Sequence, residues 1–145
     1  MSKNRKTTAK KLPIWVWIAG AVALIAVAAV VIFTQANTAA TLPAEISVSQ
    51  AAEKRDQGVM MVDVRQPEEW AAGHIPGATL IPLGEIQNRL SELPKDKEIV
   101  LVCRTGHRSG QARDILRSAG YNLSTSMAGG MVQWTAAGLP VVTGQ

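Results

Sequence analysis

Two patterns of apolar residues divide this chain. From Ile14 to Phe33 every position is apolar and none is charged, a run long enough for a helix to cross the roughly 30 Å of a bilayer's hydrocarbon. Beyond residue 44 the apolar positions are confined to short segments of strand character, near Ile46 to Val48, Val59 to Val62, Thr79 to Ile81, Ile99 to Val102 and Ser124 to Met127. Between them the spacing turns helical. Ser49 to Arg55 predicts a first short helix and Pro67 to Ala72 a second, with Pro67 at the first helical position, where a missing N–H is tolerated. Leu83, Ile86, Leu90 and Leu93 mark a third apolar face. From Ser109 onward Ala112, Ile115, Leu116 and Ala119 recur on one helix face, and Gly120 is the stop signal. Ile99, Val100, Leu101 and Val102 are all apolar, as expected for a strand of a parallel sheet covered on both faces. The alternation predicts an α/β domain, a parallel sheet flanked by helices on both faces, preceded by one N-terminal transmembrane helix. No internal repeat is present.

The flanks of the long apolar run set its expected topology. Lys3, Arg5, Lys6, Lys10 and Lys11 precede it, and such a basic cluster holds the N-terminus on the cytoplasmic side. Trp15 and Trp17 stand at its N-terminal end, where indoles prefer the headgroup level. The expectation is a basic cytoplasmic tail over 1–12, a transmembrane helix over 13–34, a linker over 35–43 and a folded domain over 44–145. The chain would cross the inner cell membrane once and present its domain on the extracytoplasmic, periplasmic side. A cleaved signal peptide competes, because Thr34, Ala36, Thr38 and Ala40 offer small residues to a peptidase. Signal h-regions run only about 7 to 15 residues, so the length favours a retained anchor. Thr34 to Pro43, TQANTAATLP, has the small, polar composition of a linker.

Charge follows the same partition. The formal net charge of +4 arises in the tail, since residues 1–43 carry five basic and no acidic side chains and the remainder carries ten basic against eleven acidic. A basic patch confined to a juxtamembrane tail speaks for topology and contact with the lipid bilayer. No nucleic-acid motif occurs, and nucleic acid is not an expected partner.

The candidate chemistry centres on Cys103, the single cysteine, in the hexapeptide CRTGHR between the fourth strand segment and the helix that follows. A loop feeding a helix N-terminus aims unpaired backbone N–H groups at its mouth, and Arg104 and Arg108 add positive charge. Both conditions lower a thiol pKa, and the thiolate is the reactive form. The carboxyl ends of the strands, where Cys103 falls, are where open α/β sheets place their sites. One thiol cannot close an intrachain disulfide, so the fold must rest on its core alone. An unpaired thiol on an exported domain risks mixed disulfides and over-oxidation, which fits a reactive role.

Four segments, in order, resemble the rhodanese-like sulfurtransferases. They are Val62-Asp63-Val64-Arg65 with Pro67-Glu68-Glu69-Trp70, Gly73-His74-Ile75-Pro76-Gly77-Ala78, the CRTGHR loop, and Gly129-Gly130-Met131 with Trp134 and Gly138-Leu139-Pro140-Val141. The resemblance covers about Ala44 to Val142 and implies a single rhodanese domain whose loop amides surround a Cys103 persulfide. It implies a thiosulfate sulfurtransferase type of activity: a sulfane sulfur moves from thiosulfate or a similar small donor, through Cys103, to a thiophilic acceptor such as a thiol, cyanide or a protein. Arg104, Thr105, Gly106, His107, Arg108 and Ser109 would form the substrate-binding loop. The related phosphatases hold five residues between cysteine and arginine, whereas this chain holds four, Arg104 to His107, and the tighter ring of amides favours sulfur over a phosphoryl group. A non-catalytic module tethering a partner at the membrane and a redox sensor remain open as rivals, although a purely binding module has no need of the thiol or its arginines.

Other residues receive humbler roles. Asp63, at the same sheet edge as Cys103, is expected to pair with Arg65 or Arg108 and fix loop geometry without moving a proton. His74 lies between turn signals and is expected to make an ordering hydrogen bond, while His107 is expected at the pocket rim, facing solvent. Glu68 and Glu69 read as a solvated helix face, and Trp70 and Trp134 as core anchors. Two histidines and one cysteine so dispersed do not suggest a metal site, and no cofactor is expected.

Overall fold

The computed structural model describes residues 42–144. The expected tail and transmembrane segment, and most of the expected linker, lie outside the described residues; among the described residues no helix is long and apolar enough to cross a membrane. Five strands, β1 (Glu45–Ile46), β2 (Met60–Asp63), β3 (Thr79–Leu80), β4 (Ile99–Val102) and β5 (Ser124–Met127), form one sheet in the order β1-β5-β4-β2-β3. Every neighbouring pair is parallel. Four α-helices accompany them: α1 (Val48–Asp56), α2 (Pro67–Ala72), α3 (His107–Ser118) and α4 (Gly130–Ala136).

Period-two alternation along β4 divides the core. Val100 and Val102 join Ile46, Met61, Met127 and Trp134 on one face, while Ile99, Leu101 and Cys103 join Val62, Ala112 and Leu116 on the other. All four β4 residues are buried, as a strand covered on both sides must be. The same alternation settles which side Cys103 takes: it points to the face that α3 covers. Strand β5 is fully buried despite its polar sequence. Its hydroxyls are satisfied, Ser124 donating to Tyr121 O at 2.9 Å, Thr125 to Pro43 O at 2.8 Å and Ser126 to Ala44 O at 3.1 Å.

Two sequence expectations are corrected. The apolar face Leu83, Ile86, Leu90 and Leu93 does not form an α-helix; it runs through turns into a 3-10 helix, Leu90–Glu92. Leu93 N bonds Leu90 O at 3.1 Å and Glu92 N bonds Arg89 O at 3.1 Å, the tighter three-residue pattern. Pro82, Gly84 and Pro94 bracket the segment and deny it a longer helix, yet Ile86 and Leu93 are buried as their spacing demanded. Helix α4, by contrast, lies where no helix was expected, because Gly129 and Gly130 head it and three glycines occur between residues 129 and 138. Trp134 on α4 is fully buried and donates Nε1–H to Pro140 O at 2.9 Å, as a core anchor should. Trp70 is not its counterpart. It is half-buried and stacks on His74 with ring centroids 3.5 Å apart.

Candidate functional site

Cys103 follows β4 directly, and Gly106 heads α3 with φ of 104°, a conformation that favours glycine. The chain thereby turns within three residues and folds its own amides over the sulfur. Gly106 N–H donates to Cys103 Sγ at 3.1 Å, and the Ser109 hydroxyl, which donates to Gly106 O at 2.9 Å, lies 3.5 Å from the same sulfur.

What orients the loop is the start of α4. Met131 N–H donates to Cys103 O at 2.8 Å and Val132 N–H to Arg104 O at 3.0 Å. In a trans peptide the N–H points opposite to the C=O, so drawing these two carbonyls toward α4 turns the Arg104 and Thr105 N–H groups the other way. Burial of the sulfur pushes the Cys103 thiol up in pKa. The Ser109 hydroxyl and the backbone N–H groups of Ser109, Thr105 and Gly106 outweigh that, and the thiol lies below its ordinary value.

The arginines act otherwise than their flanking positions suggest. Arg108 turns to Glu69, with Nη1 to Oε2 and Nη2 to Oε1 both 2.7 Å, a two-pronged pair bridging α3 to α2. Glu69 is therefore no part of a solvated helix face. Arg108 holds its carboxyl at about 2, far below the ordinary 4.5. The lowering of the Cys103 pKa is led by hydrogen bonds, with the charge of Arg108 largely answered by Glu69 and Arg104 exposed. A contact between residues 39 apart in sequence decides this; locally, Glu69 differs from Glu68 only in its capping position, where its Oε2 accepts from Gln66 N–H at 3.2 Å.

Of the two partners expected for Asp63, it takes Arg65. Its carboxylate accepts from Arg65 Nε at 3.0 and 2.9 Å and from Nη2 at 2.6 Å, and both residues are buried. The same guanidinium also donates to Glu69 O at 3.1 Å and Gly73 O at 2.8 Å, so it ties the end of β2 to the whole length of α2. His74 makes its expected ordering bond, Nδ1 lying 3.0 Å from Trp70 O, and its backbone pairs with Val142. Its ring is buried and stacked on Trp70.

Two hollows flank the loop. One, of about 370 Å3, is lined by Arg65, Glu69, Arg104, Met131, Val132 and Val141, among others. The other is lined by Thr105, Gly106 and the exposed His107. The residues that sequence reasoning missed are Glu69 and the backbone N–H groups of Met131 and Val132.

A buried thiol at the carboxyl edge of a parallel sheet, ringed by amides at a helix N-terminus, defines a single-cysteine loop domain. The chain belongs to the rhodanese-like domain family, whose model matches residues 47–137. A sulfurtransferase of Allochromatium vinosum is 43% identical over 86 residues, covering 59% of this chain and 80% of that protein. The HTH-type transcriptional regulator Rv0324 of Mycobacterium tuberculosis is 42% identical over 102 residues, 68% of this chain, but this chain spans only 45% of that longer protein. The human single-domain sulfurtransferase TSTD1 matches in structure with a TM-score of 0.63 at 29% identity, covering 66% of this chain and 97% of that one. With sulfurtransferases among these relatives, sulfur transfer is supported as the chemistry at the level of the family.

Proposed function

We propose that this protein is a sulfurtransferase that works through a persulfide on Cys103. The thiolate attacks the outer sulfur of thiosulfate or a related donor; the new Sγ–S bond forms as the donor's S–S bond breaks, and sulfite leaves with that electron pair. The outer sulfur then carries the negative charge, facing the N–H groups of Thr105, Gly106 and Ser109 that already hold the thiol below its ordinary pKa. A thiophilic acceptor removes it and regenerates the thiolate. Thr105, Gly106 and Ser109 are the anion-stabilising groups in this scheme, Arg104 is the cation that attracts the donor, and Asp63 and Arg65 hold α2, which carries the Glu69 that pairs with Arg108 at the start of α3. The observation that carries the reading is the set of donors converging on one sulfur, Gly106 N–H at 3.1 Å and Ser109 Oγ at 3.5 Å.

We place this chemistry in a four-part chain: residues 1–12 as a basic cytoplasmic tail, 13–34 as a membrane anchor, 35–43 as a linker and 44–145 as the domain. Support comes from the charge-free run Ile14 to Phe33 and the basic residues before it. Protease shaving of intact cells or spheroplasts, with a C-terminal tag as readout, tests the orientation; a tag protected until lysis removes it.

Intact mass spectrometry of the full-length protein, before and after thiosulfate and with or without cyanide, tests the chemistry. The expected result is a mass gain of one sulfur that cyanide reverses and Cys103→Ser lacks. No gain on a demonstrably reduced thiol overturns the reading.

A further inference from the structure

The C-terminal segment of the domain leaves a strand edge open. Val142 and His74 exchange both backbone hydrogen bonds, the Val142 N–H donating to His74 O at 2.9 Å and the His74 N–H to Val142 O at 2.8 Å, as an antiparallel pair. In such a ladder the backbone groups of the flanking residues point away from the partner strand. Those residues are Val141 and Thr143. Both are exposed, and among the described residues their backbone groups find no backbone partner. An unpaired edge of this kind is a template for a further strand.

Side chains beside the edge select what could pair there. Val132, Val141 and Val142 are the three large hydrophobic residues exposed among the described residues, at 51%, 38% and 42%. Val132 and Val141 line one hollow with Arg104. Arg104 is exposed and enters no ion pair among the described residues, while the Glu69 carboxylate at the same hollow is held by Arg108. A carboxylate brought there meets an unanswered cation, so the surface complements an apolar segment that carries an acidic side chain. The edge also adjoins the reacting loop, because the Met131 and Val132 N–H groups bond the carbonyls of Cys103 and Arg104.

We propose that the edge at Val141 and Thr143 binds an extended segment of a sulfur-accepting protein by strand addition, with its apolar side chains against Val132 and Val141 and a carboxylate at Arg104. Strand addition draws affinity from main-chain hydrogen bonds and selectivity from side-chain pockets, which fits a polypeptide and not a small thiol. What the docked partner receives rests on the Cys103 persulfide reading. The partner's cysteine thiolate attacks the outer sulfur; the new S–S bond forms as the bond to Sγ breaks, and Sγ keeps that electron pair as the regenerated thiolate. No oxidant is consumed.

Two readouts on the full-length protein test this. The probes are the peptide acetyl-Val-Asp-Val-Cys-amide, an analogue N-methylated at each backbone amide, and an analogue with Lys in place of Asp. Hydrogen exchange followed by mass spectrometry should slow over the segment holding Val141 and Thr143 when the peptide is added, and should not slow with the N-methylated form. Transfer from thiosulfate-loaded Cys103 should run roughly tenfold faster to the peptide than to the N-methylated form, the scale of two net hydrogen bonds. The Lys analogue should be slower than the parent at low salt, and salt should close that gap. Val132→Ser with Val141→Ser should lower transfer to the peptide and leave transfer to mercaptoethanol in place. No protection by the peptide, or equal protection by the N-methylated form, overturns the proposal. So does protection that rises with protein concentration alone, which would assign the edge to a second copy of this chain. Protection by the peptide with no loading of Cys103 marks the failure of the persulfide reading instead and upholds the edge as the binding surface.

Discussion

Gly130 is pressed against the backbone of the Cys103 loop: with φ of 54°, it leaves so little room that a Cβ there would stand 2.5 Å from the Arg104 carbonyl carbon. This approach is what lets Met131 and Val132 donate to the carbonyls of Cys103 and Arg104. The position demands glycine twice, for conformation and for space.

Gly130→Ala should therefore destabilise the protein by about 2–4 kcal/mol, combining left-handed strain with a backbone clash. Because the clash falls on the loop, thiol reactivity should drop further than the loss of folded protein explains. Urea unfolding and iodoacetamide alkylation, run on the same sample, check the two effects. Wild-type stability in the variant would show that the loop and α4 separate without cost.

Ser109→Ala removes the hydroxyl that lies 3.5 Å from Sγ and helps to lower the thiol pKa. Thiolate forms as pH rises through the thiol pKa, so a higher pKa means less thiolate at a given pH. The midpoint of the alkylation rate against pH should move upward in Ser109→Ala. An unmoved midpoint would assign the whole effect to the backbone amides.

Asp63→Asn leaves the Arg65 guanidinium, in a residue only 5% exposed, without its counter-charge. Breaking a buried pair from one side costs about 3–5 kcal/mol, more than removing both members. The single variant should be the less stable, and Asp63→Asn combined with Arg65→Met should recover part of the loss. Chemical denaturation of the two singles and the double gives the coupling directly; strict additivity would contradict a functional pair.

The Glu69–Arg108 pair makes stability depend on acid. The folded carboxyl titrates at about 2 and the ordinary value is 4.5. Its contribution is therefore fully present above pH 4.5 and is lost as pH falls toward 2. Both side chains are nearly a third exposed, 30% for Glu69 and 29% for Arg108, so solvent screening limits the effect to about 1 kcal/mol. Urea midpoints for wild type and Glu69→Gln should differ at pH 6, draw together below pH 4.5 and converge near pH 2. A constant gap across that range would mean that the carboxylate's charge contributes nothing.

Much of the domain was legible in the sequence because local signals there agree with the fold. The apolar run before Cys103 is β4, and the strand predicted over Ser124 to Met127 has the predicted bounds. Pro67 opens α2 and Ala72 closes it, as expected. The helix predicted from Ser109 begins two residues earlier, at His107, since Gly106 lets the chain turn sooner. The two failures over helices have separate causes. Leu83 to Leu93 carries helical spacing, but that spacing also serves successive tight turns, and the prolines and glycine around it decide between them. In α4, glycines chosen for close approach to the loop suppress the helical signal.

By itself the sequence determined the α/β alternation, the single thiol at a strand-to-helix turn, and the separation of a basic, apolar N-terminal stretch from a nearly neutral remainder. These follow from periodicity and composition, which are properties of neighbouring residues. Only the tertiary structure decided the partners of the charges: Glu69 for Arg108 across 39 residues, Arg65 for Asp63, and no partner for Arg104 among the described residues. It also decided that the amides of the loop turn to the sulfur, since the carbonyls are drawn off by α4, more than 25 residues along the chain. Side chains find ionic and hydrogen-bonding partners by proximity in space, and in a parallel sheet that proximity is set by crossovers that linear spacing does not encode.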